Sequence, residues 1–328
     1  MSLKIIKAGI LDTLQDQGRF GYQHLGINPG GAMDRFGMQV ANLLAGNEPQ
    51  EAVMEMHFPG PAILFQQTAL IALAGADFSA HVNGEPVHRL QPIIASNNSI
   101  LRFHAQRSGA RAYLAVHGGF AIESWLGSRS TNLKAGAGGY NGRALQKEDE
   151  LPFRRTVDDR GLQQKEQICL PWRGSDLPEE GATGTISILP GKEWELLSPA
   201  LQQQLLNTSF LIGSQSDRMG YRLQGEAVQL SLQEELVSSP VCFGAIQLLP
   251  DGQLIILMAD HQTTGGYPVI AQVISAHHSR LAQRRPGDVL QFRLADQAVA
   301  EKLWLQQHRH LLQLQNACIF RLEEWLKT

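Results

Sequence analysis

Cysteine is scarce in this chain. Cys169, Cys242 and Cys318 lie far apart, with no CxxC pair and no even-numbered framework. That excludes a zinc knuckle or a disulfide scaffold and leaves buried, reduced thiols as the expectation. Charge is also sparse: 18% of residues are charged, and 28 Lys+Arg against 31 Asp+Glu give a net charge of -3. No basic stripe interrupts that balance, so a nucleic-acid surface is not expected. Long apolar runs are missing too. The opening MSLKIIKAGILDT is broken by Lys4, Lys7 and Asp12, whereas a signal peptide needs about 7–15 unbroken apolar residues and a membrane span about 18 or more. A soluble, cytoplasmic protein without a membrane partner is expected.

Several chemical signatures are absent as well. The nearest approach to a P-loop, Gly184 to Lys192, has the wrong spacing and runs into Glu193. No GxGxxG opens a helix, and neither HExxH nor GxSxG occurs. The chain is therefore not expected to bind a nucleotide through a P-loop or Rossmann turn, to act as a serine hydrolase, or to hold a metal.

What is present is a large apolar fraction, 43% of 328 residues, enough for a real core in two domains or one large one. Short runs such as Ala62–Phe65, Ala69–Leu73, Ile100–Phe103 and Ala112–Val116 are bounded by Gly, Pro, Asn or Ser, the pattern of strands and tight turns. Asn83-Gly84 sits between two such runs. Both central residues of a type I′ turn need positive φ, so this pair predicts a hairpin. Phe36, Val40, Leu43 and Leu44 recur at helical spacing, predicting a helix from Ala32 to Ala45 that Gly46-Asn47 ends. Arg154 to Gly184 is polar and irregular, as a connecting segment would be.

Arg19-Phe20-Gly21-Tyr22 recurs as Arg218-Met219-Gly220-Tyr221, each copy after a Gln and an acid. The late strands Asn98–Phe103 and Gly287–Phe292 also match, with a third such strand at Glu148–Phe153. Duplication of one β-rich unit, giving two packed barrel-like domains, would explain this. The expected boundaries are 1–155 for the first half, 156–184 for the connection, 185–293 for the second half and 294–328 for a C-terminal helix. In that tail Trp304, Leu311, Leu314, Cys318, Leu322 and Trp325 step by 7, 3, 4, 4 and 3, one face of a long amphipathic helix. It serves either to cover the barrels or to dock a partner. His308 and His310, two apart, point to different sides and make no metal pair.

Three segments carry chemistry. In Ser130–Arg143, four glycines within seven residues (Gly136, Gly138, Gly139, Gly142) allow close backbone approach, with Asn132 inside the loop and Lys134 and Arg143 flanking it. Such a loop suits a carboxylate or phosphate oxygen. In Met258–Pro268, Asp260, Gln262, Thr263, Thr264 and Tyr267 gather at a strand end around Gly265-Gly266, a recognition loop on a rigid element. His261 there is expected to be a hydrogen-bonded bystander more than a base. In Ser214–Arg222, Gln215 and Ser216 precede Arg218. Arg218 and its echo Arg19 either clamp a carboxylate of the ligand or pair with an Asp to staple a turn.

Taken together, Thr13–Asp34, Val40–Asn47, STNLKAGAGG (Ser130–Gly139), SQSDRMGYRLQG (Ser214–Gly225) and DHQTTGGYP (Asp260–Pro268) resemble the KipA / 5-oxoprolinase C-subunit family, also called allophanate hydrolase subunit 2 or the biotin-dependent carboxyltransferase-domain family. The resemblance is co-linear from about Lys4 to Phe292. It implies a mainly β fold: two tandem cyclophilin-like β-barrel domains with short helices, beside the long C-terminal amphipathic helix read above. It implies a component, inactive alone, of an ATP-dependent 5-oxoprolinase that opens 5-oxo-L-proline to L-glutamate with a KipI-like B-subunit and a LamB/YcsF-like A-subunit. ATP would be consumed by the complex, where phosphorylating the lactam oxygen creates a leaving group. The alternatives are a KipA-type regulator that binds a KipI-like histidine kinase inhibitor, and a biotin-dependent carboxyltransferase like that of urea amidolyase. Biotin enters only under the last. On this resemblance Lys134, Arg218, Asp260 and Gln262 are the expected catalytic set. Asn132, Gly136, Gly138, Gly139, Gln215, Ser216, Thr263, Thr264, Gly265, Gly266 and Tyr267 would bind a small-molecule substrate.

Overall fold

Gly, Pro and Asn cut the chain into strands of two to nine residues, too short for stable helices but able to pair in sheets. A computed structural model describes residues 2–155, 169–176, 184–229 and 236–327. Most of the expected 156–184 connection thus lies outside the described residues. The chain divides into two compact units. Met1–Arg19, Asp34–Leu177 and His308–Thr328 form the first, and Phe20–Met33 with Pro178–Gln307 the second.

The first unit holds strands β1 (Ser2–Lys7), β2 (Thr13–Gln15), β3 (Val53–His57), β4 (Ala62–Phe65), β5 (Ala69–Asp77), β6 (Ala80–Val82), β7 (Glu85–Pro86), β8 (Pro92–Ala95), β9 (Ile100–Phe103), β10 (Ser108–Val116) and β11 (Glu150–Pro152). They form two sheets, in the orders β11-β1-β4-β9-β6-β7 and β2-β3-β10-β5-β8. Leu3, Ile5, Ile63, Phe65 and Leu101 from one sheet and Leu14, Met54, Leu73 and Leu114 from the other share one apolar core. The hairpin at Asn83-Gly84 joins β6 to β7, with φ of 53° and 90° at the two residues. Positive φ at both is what the dipeptide was expected to supply.

Helix α1 (Arg35–Leu44) begins three residues later than its periodicity suggests, because the Asp34 carboxylate accepts a hydrogen bond from Gly37 N at 2.8 Å and caps it. Its apolar stripe lies on β5 and β10.

The second unit is built on β12 (Thr185–Pro190), β13 (Ser209–Ile212), β14 (Gly220–Gln224), β15 (Ser239–Pro240), β16 (Ala245–Leu248), β17 (Leu254–Leu257), β18 (Thr264–Gly265), β19 (Val269–Val273) and β20 (Val289–Leu294). Seven of these close into a barrel, β12-β19-β16-β17-β14-β13-β20, sealed by parallel pairing of β12 with β20. Closure leaves no exposed edge among those strands. Ile186, Ile188, Phe210, Ile246, Ile256, Ile270 and Phe292 fill it, and Met33 of the first-half sequence packs in the same core. Helices α2 (Pro199–Asn207) and α3 (His278–Ala282) also belong to this unit. The fold is mainly β, as expected, with a seven-stranded barrel, and among the described residues four α-helices.

Helix α4 (Gln297–Lys327) is the expected C-terminal helix. Cys318 and Leu322 are buried, and Leu322 joins Leu70, Ile94 and Leu170 in a small cluster against which Trp172 and Trp325 pack. Trp304, read as part of the same stripe, stays 48% exposed. No helix among the described residues is long and apolar enough to cross a membrane.

Candidate functional site

The two RxGY copies do related work in different settings. In the first unit Asp16 is buried and its carboxylate accepts from Gly18 N (2.8 Å), Ser128 Oγ (2.6 Å), Arg129 N (2.5 Å) and Ser130 Oγ (2.6 Å). Arg19 donates through Nη2 to the Ser130 carbonyl, and its guanidinium sits 4.6 Å from the centroid of the Trp125 ring. Thr131 N and Oγ1 both donate to Leu14 O, at 2.9 and 3.0 Å. The glycine-rich loop is thereby anchored to the end of β2.

Within that loop Asn132 and Ala137 exchange backbone hydrogen bonds of 2.8 and 3.2 Å, and Asn132 Oδ1 accepts from Ala135 N at 3.0 Å. Lys134 is held exposed at the tip of this tight turn. The glycines have a nearer reason than ligand access. A Cβ on Gly138 would lie 2.2 Å from Ser130 O, and one on Gly139 would lie 1.9 Å from Thr131 Oγ1. Both have positive φ. Gly136 alone of the three faces open space. Arg143 turns away to Asp149, bonding it bidentately at 2.6 and 2.7 Å, so its charge is matched there.

In the second unit Arg218 bonds Asp260 through Nε–Oδ2 at 2.8 Å and Nη2–Oδ1 at 3.2 Å, and Nη2 also donates to Gly31 O at 2.7 Å. The backbone adds Asp260 N to Arg218 O at 2.8 Å. Of the two readings open for this arginine, the geometry matches the Arg–Asp staple. Two members of the expected catalytic set thus meet each other. Ser216 Oγ accepts from Arg222 N at 3.0 Å and closes the turn ahead of β14, while Gln215 is exposed.

Beyond Asp260 the loop carries Gln262, Thr264, Gly266 and Tyr267 exposed, with Thr263 and Gly265 half-buried. Thr263 O accepts from Val241 N at 3.2 Å and β18 pairs with β15, which holds the loop in extended form. His261 is buried, its Nδ1 2.5 Å from Gln262 O. Gln262 Nε2 reaches Gln247 Oε1 at 3.5 Å, and Gln247 Nε2 reaches Tyr267 O at 3.4 Å. A Cβ on Gly265 would lie 2.6 Å from Gln247 Nε2, so this glycine admits the glutamine.

Gln247, Glu55 and Tyr113 were not singled out from the sequence. Glu55 is fully buried, in register with Thr13 on one side and Tyr113 on the other. Tyr113 Oη donates to Glu55 Oε2 at 2.9 Å and accepts from Asp34 N at 2.8 Å. Burial first, then the Glu55 carboxylate, holds this phenol well above its ordinary value, so it remains a donor. The signal available was a polar residue inside an apolar strand, Glu55 in VMEMH and Gln247 in AIQL. Among the described residues no three His, Cys, Asp or Glu side chains cluster closely enough to hold a metal ion. Lys134 belongs to the first unit, and Arg218, Asp260 and Gln262 to the second.

A mainly β chain with a closed seven-stranded barrel and two anchored polar loops has counterparts of known class. Residues 25–294 match the family described as carboxyltransferase domain, subdomain A and B, and the chain belongs to that family. Within it, the chain is 36% identical to the 5-oxoprolinase C-subunit of Haemophilus influenzae, covering 89% of this chain and 90% of that one. It is 35% identical to the 5-oxoprolinase C-subunit of Escherichia coli, covering 95% and 97%. Urea amidolyase of Lachancea kluyveri matches at 28% over 98% of this chain but only 18% of its own length. Among solved structures, Kluyveromyces lactis urea amidolyase superposes with a TM-score of 0.86 at 26% identity, over 95% of this chain and 20% of that one.

Proposed function

We propose that this chain is the C-subunit of an ATP-dependent 5-oxoprolinase, acting with a KipI-like B-subunit and a LamB/YcsF-like A-subunit on 5-oxo-L-proline. The observation carrying this reading is similarity above one-third identity over 89–95% of this chain and 90–97% of two 5-oxoprolinase C-subunits. In this reading Lys134, an exposed ammonium on a tight turn of the first unit, supplies positive charge to the reaction of the assembly. Gln262, Thr263 and Thr264 offer neutral donors and acceptors that orient substrate or water. Arg218 and Asp260 act as positioning residues, since each satisfies the other. ATP supplies phosphoryl activation of the lactam oxygen. Gly138 and Gly139 are packed on residues 130–131, and in this reading ATP is assigned to the assembly and no nucleotide step to this chain.

The test is glutamate release from 5-oxoproline and ATP by the three co-expressed chains, with each omitted in turn. Loss of product on omitting this chain supports the reading, and unchanged product overturns it. A second reading, carboxyl transfer from biotin, is favoured by the family's carboxyltransferase description and by the urea amidolyase similarity. It requires biotin-bearing partners, and avidin inhibition of the assembly would distinguish it.

A further inference from the structure

The first unit contains a cavity of about 380 Å³ that none of the three chemical segments touches. Its walls come from the β5–β6 connection (Asp77, Ser79), the stretch after β7 (His88, Arg89, Leu90), Arg107 and the stretch Arg173–Asp176. Apolar lining is limited to Ala80, Pro86, Val87 and Leu90. Arg89, Arg107 and Arg173 therefore line one hollow, Arg89 half-buried and the other two exposed, in a chain whose net charge is -3.

Their charges are unequally matched. Arg89 is gripped by Asp176, Nη1 to Oδ1 at 2.7 Å and Nη2 to Oδ2 closer still, and Asp77 also acts on it electrostatically. Among the described residues Arg107 and Arg173 have no ion pair. Asp77 is engaged by Ser79 N at 2.8 Å, and its backbone carbonyl accepts from Arg107 N at 2.8 Å. Among the described residues the walls carry three arginines against two aspartates, a local surplus of positive charge.

The backbone supports a built hollow. Of the seven non-glycine residues with left-handed backbone among the described residues, Ser79 (φ 52°) and Leu90 (φ 61°) both line it. Leucine has no local preference for that conformation, so long-range bonds impose it: Leu90 N donates to Leu73 O and Leu90 O accepts from Gly174 N, both at 2.7 Å. The same bonds bring Arg173 and Asp176 over the cavity.

We propose that this cavity is a binding site for a small organic anion bearing a carboxylate or phosphate group, held by Arg107 and Arg173, with Asp176 occupying the Arg89 fork as an internal competitor. The volume exceeds a bare inorganic ion and falls in the range of small-molecule sites. Guanidinium forks match planar carboxylate and phosphate oxygens.

The experiment is isothermal titration of the full chain with succinate and, separately, with glycerol 3-phosphate. Binding by either supports the proposal and tells which oxygen chemistry is preferred; no heat from either up to about 10 mM overturns it. Arg107→Ala with Arg173→Ala should weaken binding by about tenfold or more, the worth of lost charge-assisted contacts. Asp176→Asn should tighten it, because the Arg89 fork is released. A gain of affinity cannot arise from misfolding, so an Asp176→Asn variant that binds no more tightly overturns the competitor role. Unchanged affinity in the double variant overturns the site. None of these residues belongs to the loops assigned to lactam opening, so glutamate release tests that reading separately.

Discussion

Arg218 and Asp260, 42 residues apart in sequence, are joined by two side-chain hydrogen bonds and one between their backbones. Their side chains are 7% and 18% exposed. At that burial an ion pair is a commitment: removing one partner strands the other charge away from water. The pair fixes where the 260–267 loop leaves β17, and through Gly31 O it also secures the Phe20–Met33 segment on the barrel unit.

Arg218→Ala should therefore destabilise the chain by about 3–5 kcal/mol, read as a lower urea midpoint with unchanged slope. Arg218→Lys keeps the charge and loses the fork, and an intermediate loss is expected. A midpoint within error of wild type for Arg218→Ala would show that the staple holds nothing.

Lys134 makes the opposite case. It is exposed on its turn, so Lys134→Ala should leave stability within about 0.5 kcal/mol while lowering turnover of the reconstituted assembly about a hundredfold or more. Full turnover would remove Lys134 from the site.

The glycines of the same loop should separate sharply. Gly136 has φ 61° and open space around its Cα, so Gly136→Ala costs only the left-handed backbone, about 1–2 kcal/mol. Gly138→Ala must also displace the Ser130 carbonyl, 2.2 Å from the new Cβ. Its loss in thermal or urea unfolding should be clearly larger. Equal losses would mean that the loop does not pack on residues 130–131 as described.

Asp12 is buried, one carboxylate oxygen accepting from Gly9 N at 2.7 Å and the other without a hydrogen-bond partner. Burial, opposed by that hydrogen bond, pushes its pKa from 3.8 up to about 7. The folded chain thus keeps a proton that the unfolded chain releases near pH 4. Stability from this group is full below pH 4, falls as pH rises to about 7, and is level above, a span of about 4 kcal/mol. Asp12→Asn should flatten that slope in urea titrations from pH 4 to 8. A variant that keeps it would assign the slope elsewhere.

His277 has the reverse sign. Its Nδ1 accepts from Ser187 N at 2.9 Å, and burial, helped by Arg280, Arg293 and His278, lowers its pKa to about 4. The stability it contributes is present above pH 6.5 and is lost as pH falls toward 4. His277→Gln should remove that acid-side loss from the difference curve against wild type.

Much of the local structure was legible in the sequence. Ala62–Phe65 and Ile100–Phe103 are strands with the bounds their flanking residues suggested, and Asn83-Gly84 turns as its backbone preference requires. The C-terminal stripe buries Cys318 and Leu322, while Trp304 near the other end of that helix stays half in water. Helical periodicity reports a face but not how much of it finds a partner. The candidate site was legible as segments and illegible as pairings. A list of polar residues gives no sign that Arg218 and Asp260 satisfy each other, or that Arg143 is taken by Asp149.

The sequence by itself determined the elements: φ preferences, alternation and 3.6-residue periodicity act within a few residues and need no distant partner. Only the tertiary structure decided which polar groups are buried and which charge meets which. Glu55 between Thr13 and Tyr113, Gln247 behind Gly265, and Arg107 with Arg173 on the wall of one cavity are brought together by strand register and loop closure across tens of residues. Such closure is fixed by the whole chain, because each long-range contact must offset the conformational entropy of the chain it encloses.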